Sequence, residues 1–327
     1  MKILWPHTYD PSKVNSGIFM HRHAKSLKDS GIDLTTLYLG KINNPIRLIR
    51  AINLLNKNID RYDLIHPQYG STCGLSCAFN KKIKIISLKG SDWYKYKTNN
   101  IGMNVHSKIT TSITRSYLKN YDSIVVMSHA MRSSIQKEFD NLPPIHVISD
   151  PIDLNLFKSI NPIDARKKFF NTKDESPWVL FVSSDINNPI KRYFLAKEAV
   201  SYARNFYPNL KLKVASEIPP ELMPKYISCF NLVISTSLHE GWPNNIKEAL
   251  ALNIPFVSTN VSDLEGISLR NKYCFVTSPN PSSLGSSIIK CLSFKKEELK
   301  NLRNNISYMS MEETNKKYIK MYKKLIY

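Results

Sequence analysis

The chain has 327 residues, 42% apolar and 22% charged, with 46 Lys and Arg against 26 Asp and Glu for a net charge of +20. At roughly 150 residues per domain the length gives about two domains, and the composition excludes wholesale disorder and collagen-like repeats. No apolar run reaches the roughly 18 residues that span a bilayer.

The first elements alternate between strand and helix. Met1–Trp5 predicts a strand, followed by a loop with Pro6, Pro11, Ser16 and Gly17. Ile18–Ser30 has helical spacing, stopped at Gly31. Leu34–Leu39 is the next strand, and Pro45–Lys57 a short basic helix. Further strands are expected at Leu64–Ile65, Ile83–Leu88, Ser123–Met127 and Ile145–Ile148, with helices at Ser107–Lys119 and Ala130–Phe139. The pattern restarts with a strand at Trp178–Ser183, a helix at Arg192–Phe206, and strands at Leu210–Ala215 and Leu232–Ser235. Asn244–Leu252 predicts a helix and Phe256–Ser258 a strand. Strands alternating with helices imply βαβ units and parallel sheets. The fold class is α/β, with two Rossmann-like domains facing across a cleft, where ligands bind. Residues 294–327 are helical and Lys-rich, and Tyr318, Met321, Tyr322 and Leu325 make one apolar stripe. The domains are expected at 1–155 and 156–305, with 306–327 a helix packing back on the first.

The basic excess is spread over both halves, and Glu138 is the only Glu in the first 150 residues. Nucleic acid, an anionic membrane face or phosphorylated substrates would each fit such a balance, as would a Lys- and Asn-rich genome alone. No helix-turn-helix, zinc-finger or RNP-type signature accompanies the charge, so no nucleic-acid partner is expected. In Pro45–Lys57, Arg47, Arg50 and Lys57 lie among apolar residues; the helix either packs on a core with a basic edge or lies on anionic lipid. The N-terminus lacks a secretion signal. The five cysteines contain no Cys-x-x-Cys, so neither a disulfide framework nor a structural zinc is expected. The expected location is the cytoplasm, with peripheral contact at the inner face of the plasma membrane.

The chemistry concentrates in Leu232–Thr259. A strand ends in the polar loop Ser235–Pro243, and a helix begins at Pro243 or Asn244. Free N–H groups at that helix start favour a phosphate or diphosphate. Glu240 and Glu248 bracket the anion site, and carboxylates accept strong hydrogen bonds from sugar hydroxyls. Other candidates carry bland alternatives. His239, beside Glu240, either does acid–base work or is a bystander. His21 and His23, two apart on a helix, do not share a face for a metal. His66 either lines an acceptor site or is a loop histidine, and His106 and His129 either face the cleft or are structural. Trp93–Lys97 either stacks on an acceptor sugar, touches lipid or packs in a loop.

The run Glu240-Gly241-Trp242-Pro243-Asn244-Asn245-Ile246-Lys247-Glu248-Ala249 resembles the Glu-x7-Glu signature of glycosyltransferase family 4, retaining nucleotide-sugar enzymes of the GT-B fold. Its Lys-Glu-Ala is similar to bacterial polysaccharide-assembly members. Ser16-Gly17-Ile18-Phe19 resembles the family's N-terminal glycine loop. Leu88-Lys89-Gly90-Ser91-Asp92 resembles its His-Gly-Ser/Thr-Asp motif, and Ser149–Asp153 its interdomain segment. Val182-Ser183-Ser184 with Lys191-Arg192 looks like its phosphate-binding strand and loop.

The resemblance implies that Glu248 binds the donor ribose and Glu240 the donor sugar. Backbone amides near Trp242–Asn245, with Ser16, Gly17, Ser184, Gly241 and Pro243 lining the site, would complete the donor site. Lys191 and Arg192 would stabilise the departing diphosphate. Lys89 and Asp92 would join Glu240 and Lys191 as catalytic residues. No metal and no cofactor beyond the nucleotide sugar are expected, and the acceptor would be a glycan, expected to be lipid-linked. Two positions depart from the family pattern: Ser184 stands where Arg is frequent, and Lys89 where His is frequent. The donor-base loop at residues 215–220 does not reveal the base. Two other readings stay open: a GT-B nucleotide-sugar epimerase, and a basic nucleic-acid- or glycan-binding protein with a degenerate site.

Overall fold

The structure, a computed structural model, describes residues 1–13, 16–295 and 298–327. Of the helical stretch expected at 294–327, residues 296 and 297 lie outside the described ones.

The chain forms two compact units, Met1–Pro151 with Met311–Tyr327, and Ile152–Ser310. The first begins with β1 (Lys2–His7), α1 (Ile18–Asp29), β2 (Asp33–Tyr38) and α2 (Pro45–Asn58). β3 (Leu64–Ile65), α3 (Ser71–Ala78), β4 (Ile83–Leu88) and α4 (Ile101–Tyr117) follow, then β5 (Ser123–Val126), α5 (His129–Gln136) and β6 (Ile145–Val147). Its sheet has the order β2-β1-β3-β4-β5-β6 and is parallel at every pairing. Ile85, Ile86, Ile124, Val125 and Val126 are fully buried, as expected for strands covered on both faces.

The second unit begins with α6 (Pro162–Phe170), β7 (Trp178–Val182), α7 (Tyr193–Ala203) and β8 (Lys211–Ala215). α8 (Met223–Ile227), β9 (Leu232–Ser235), α9 (Asn244–Ala251) and β10 (Phe256–Thr259) come next, then α10 (Leu264–Arg270), β11 (Phe275–Thr277) and α11 (Pro281–Leu292). Its sheet, β11-β10-β9-β7-β8, is also parallel. Three helices start alike: Asn44, Asn161 and Asn280 accept from an early backbone N–H, and a proline fills the first position. The amide oxygen satisfies an orphan donor, and the proline has no N–H to lose.

The last helix, α12 (Met311–Ile326), returns to the first unit. Its stripe of Tyr318, Met321 and Tyr322 is buried there, and the Tyr322 hydroxyl accepts from Trp5 Nε1 at 2.9 Å. The unit boundaries fall at Pro151 and Ser310 rather than at 155 and 305. The Ile152 N–H donates to the Met309 carbonyl at 2.9 Å, and Arg303 donates to the carbonyls of Phe157 and Leu154; both crossing segments are thereby tied to the second unit. Among the described residues no helix is long and apolar enough to cross a membrane.

Candidate functional site

In each sheet the order reverses at one place, between β1 and β3 in the first unit and between β7 and β9 in the second. Loops leaving the carboxyl ends of neighbouring strands diverge there, opening a crevice in which α/β folds bind ligands.

In the second unit the β7–α7 and β9–α9 loops are stitched together. The Leu238 N–H donates to the Ile190 carbonyl at 2.8 Å. Thr236 Oγ1 donates to the carbonyls of Lys191 and Arg192 at 2.8 and 2.9 Å. Arg192 donates back through Nε to the Thr236 carbonyl and through Nη2 to the Ser237 carbonyl. Its own backbone is left-handed, φ 53° and ψ 51°, a region non-glycine residues seldom occupy. Such backbone persists only where surrounding bonds over-determine it.

This stitching brings Lys191 Nζ within 2.5 Å of Glu240 Oε1. Ser237 Oγ donates to the same oxygen at 2.7 Å. The side chains of Lys191 and Glu240 are 31% and 19% exposed. They are held, yet open to a ligand.

The α9 helix starts beside them. No side chain caps it, and its first turn carries no acid, so its positive end is left for an anion. Gly241, Trp242 and Pro243 are buried ahead of it, and Asn244 and Asn245 are half-buried. Lys247 Nζ points back along the helix, donating to Asn244 Oδ1 at 3.2 Å and lying 5.3 Å from the Trp242 ring. Glu248 is buried on the following turn. His239 is held neutral, its pKa lowered by burial.

In the first unit the carboxyl edge is equally ordered. Gly17 begins α1 at φ 67°, and a Cβ there would meet Tyr9 Cγ at 2.5 Å, so only glycine fits. Ser16 is half-buried in the same turn. Asp92 Oδ2 accepts from the Gly70 N–H, its Oδ1 from the Gly90 N–H, and both oxygens from the Lys89 N–H. Burial raises the Asp92 pKa, against the pull of those donors. Lys89 Nζ pairs with Asp150 Oδ1 at 2.5 Å. Burial works to lower the Lys89 pKa, but Asp150 and the neighbouring Tyr318 outweigh it and the net shift is upward.

The family models decide what the fold alone leaves open. Residues 13–156 match Glycosyltransferase Family 4, and residues 179–293 match Glycosyl transferases group 1. The chain is a glycosyltransferase of the GT-B fold.

Solved structures agree on the fold. Sucrose-phosphate synthase from Thermosynechococcus elongatus is similar at 15% identity and TM-score 0.80, over 99% of each chain. HepE of Anabaena, in complex with UDP and glucose, gives 14% identity and TM-score 0.71, again over 99% of each chain. WaaG, a glycosyltransferase involved in lipopolysaccharide biosynthesis, gives 11% identity and TM-score 0.69, over 98% of this chain and 99% of its own. No curated protein matches the chain by sequence.

The glycosyltransferase gathers most of its sequence-derived candidates into two clusters, one per unit. Lys191, Arg192 and Glu240 meet at the β7/β9 crevice, Gly241–Asn245 continue from Glu240 into the start of α9, Glu248 is buried on that helix, and Ser184 stands exposed on the β7 loop. Ser16, Gly17, Lys89 and Asp92 lie at the carboxyl edge of the other sheet. Five expectations need correction. Arg192 spends two guanidinium nitrogens on carbonyls of the β9 loop, so it clamps that loop rather than a leaving group. Asp92 is fully buried and its carboxylate is taken up by three backbone donors, which makes it a positioning residue. The Lys89 ammonium is committed to Asp150 in the same unit. His66 lines no acceptor site: it is fully buried, with Nδ1 at 2.8 Å from Tyr322 Oη and Nε2 at 2.8 Å from Ser87 Oγ. Trp93 belongs to the core under the Arg115 guanidinium.

Sequence reasoning assigned no role to Ser237, Asp150 or Lys247. A hydroxyl three residues before Glu240 is the one local signal for Ser237. Asp150 stood in the interdomain segment without a partner. Among the described residues no group of three or more His, Cys, Asp or Glu is arranged to hold a metal ion.

Proposed function

We propose that this glycosyltransferase transfers a sugar, with retention, from a nucleotide-diphosphate donor to a glycan acceptor carried on a lipid. The pathway is the assembly of a surface polysaccharide such as capsule, exopolysaccharide or lipopolysaccharide, at the cytoplasmic side of the membrane. The observation that carries the reading is the Lys191–Glu240 pair beside the uncapped start of α9. A cation and a set of free amides at one crevice suit a diphosphate. Both bonds to Glu240 use Oε1, which leaves Oε2 to accept from a sugar hydroxyl. Glu248, one helix turn further, is suited to a ribose diol.

In this scheme the bond from the sugar's anomeric carbon to the diphosphate oxygen breaks, and its electron pair stays on that oxygen. Lys191 and the α9 amides stabilise the charge that develops. The acceptor hydroxyl bonds to the anomeric carbon from the same face, and its proton passes to the departing phosphate. No protein base is needed, in keeping with the inward commitments of Asp92 and Lys89. The fold relatives support the substrate classes: HepE is bound to UDP and glucose, and Staphylococcus aureus TarM to UDP and alpha-GlcNAc-glycerol.

A panel of nucleotide sugars, with nucleoside-diphosphate release and product anomer as readouts, tests the reading. Release from one donor, with the anomeric configuration kept in the product, is the expected result. Inverted product, or epimerisation of the donor sugar without acceptor, would overturn it.

A further inference from the structure

The loop that carries Glu240 is gripped from a third direction, by the segment that follows β10. β10 pairs with β9 in parallel, so its carboxyl end reaches the same edge as the β9–α9 loop. Thr259 Oγ1 donates to the Ser237 carbonyl at 2.7 Å, and Ser262 Oγ donates to the Gly241 carbonyl at 2.8 Å. In a trans peptide the carbonyl and the following N–H point in opposite directions, so holding one aims the other. At Ser237–Leu238 the aimed N–H finds a protein partner, the Ile190 carbonyl at 2.8 Å. At Gly241–Trp242 the outcome differs: among the described residues the Trp242 N–H meets no acceptor. Trp242 precedes the cap of α9, so this donor is not one of the four that every helix start leaves open. The residue is 5% exposed, and buried N–H groups without a partner are rare and costly.

Ser262 makes its bond from a strained backbone. Its φ is 56°, in the left-handed region where residues other than Gly, Asn and Asp are seldom found. Glycine would relax the turn and lose the hydroxyl; serine keeps the hydroxyl and the strain. Strain of this kind persists where the surroundings over-determine it, and it points to a role for the side chain. The sheet order sets β7 on the far side of β9 from β10. An N–H turned away from Ser262 is therefore turned toward the side of Lys191, as the Leu238 N–H already is toward Ile190. We propose that Ser262 is a positioning residue of the donor site: through the Gly241 carbonyl it aims the Trp242 N–H at the donor diphosphate. Lys191 supplies charge there, and the aimed amide supplies direction. The inference rests on the nucleotide-sugar reading and deepens it, since it adds a donor that the helix start does not provide.

The test is calorimetric binding of UDP, ADP, GDP and CDP, and of their nucleosides, to the full chain and to its S262G and S262A variants. The wild type binds at least one of the diphosphates. S262G binds that diphosphate about tenfold or more weakly, the scale of one hydrogen bond to a charged group, and binds the matching nucleoside as the wild type does. Its melting temperature stays within about 3 °C of wild type, because the relaxed turn offsets the lost bond. S262A loses the hydroxyl and keeps the strain, so it melts lower than S262G yet weakens the diphosphate by the same factor. Unchanged diphosphate affinity in S262G overturns the proposal. So does an equal loss for nucleoside and diphosphate, or a loss in S262A alone, either of which makes Ser262 a support of the fold only. A wild type that binds none of the four diphosphates removes the donor reading and this inference with it. A wild type that binds one, with S262G unchanged, removes this inference alone.

Discussion

Lys191 and Glu240, 49 residues apart, meet at 2.5 Å where the order of the second sheet reverses. Each side chain holds the other in place; on the proposed function the pair would offer a cation to a diphosphate and a carboxylate to a sugar. A donor would draw the ammonium toward its phosphates and free the carboxylate.

Replacing Lys191 by Ala removes the charge that meets the leaving group. Turnover falls about 100- to 1,000-fold, as for loss of one preorganised donor to a developing anion, with a smaller change in donor KM. Steady-state kinetics on the preferred donor check this; a wild-type kcat would reject the assignment.

Glu248 is 5% exposed on α9 and lies where a ribose diol would be read. Glu248→Gln keeps the shape and removes the charge that strengthens both hydrogen bonds. Nucleotide affinity drops about tenfold or more by calorimetry, while the melting temperature changes little. Unchanged affinity would move the nucleoside elsewhere.

Asp92 acts through the loop it braces. Asp92→Asn turns an acceptor edge into an N–H donor facing the amides of Gly70, Lys89 and Gly90. A buried mismatch of this kind costs about 1–3 kcal/mol, seen as a lower midpoint in urea. Donor hydrolysis without acceptor stays near wild type, whereas the acceptor KM rises. A loss of donor hydrolysis equal to that of Lys191→Ala would give Asp92 a direct chemical role.

His7 sets a pH limit. It is 3% exposed, and burial, then His21, push its pKa down to about 4. The unfolded chain takes up the proton near the ordinary value of 6.5, the folded chain only near 4. Stability is therefore unaffected above about pH 6.5 and falls as pH drops toward 4, by an amount of order 3 kcal/mol. Burial depresses His66 as well, which adds to the same fall. Urea midpoints at pH 7.5 and pH 5 measure the slope. His7→Asn should flatten it, and an unchanged slope would show that other groups carry the acid sensitivity.

Much of the fold was legible because its strands are short apolar runs with turn residues between them. The missed elements had physical reasons. Helix α3 is Ser-Thr-Cys-Gly-Leu-Ser-Cys-Ala, almost all small and buried, so it has no polar face to give it a period. The true start of α4 at Ile101, not Ser107, was hidden because its exposed isoleucines invert the expected pattern. Helices α6 and α11 carried the Asn-Pro start that could have revealed them. Strand β11 is three residues long, and α8 and α10 are five and seven, too short for periodicity to register.

By itself the sequence determined what is local. A strand, a polar loop and an eight-residue helix place Glu240 ahead of one uncapped helix start and Glu248 on the turn after it, whatever surrounds them. The partnerships were decided by the tertiary structure. Lys191 reaches Glu240, Arg192 turns inward to clamp a loop, and Asp92 disappears beneath three amides, because sheet topology chooses which distant loops share an edge. A side chain's chemistry is written in its type, but whether that chemistry faces a ligand or the protein depends on neighbours that only folding supplies.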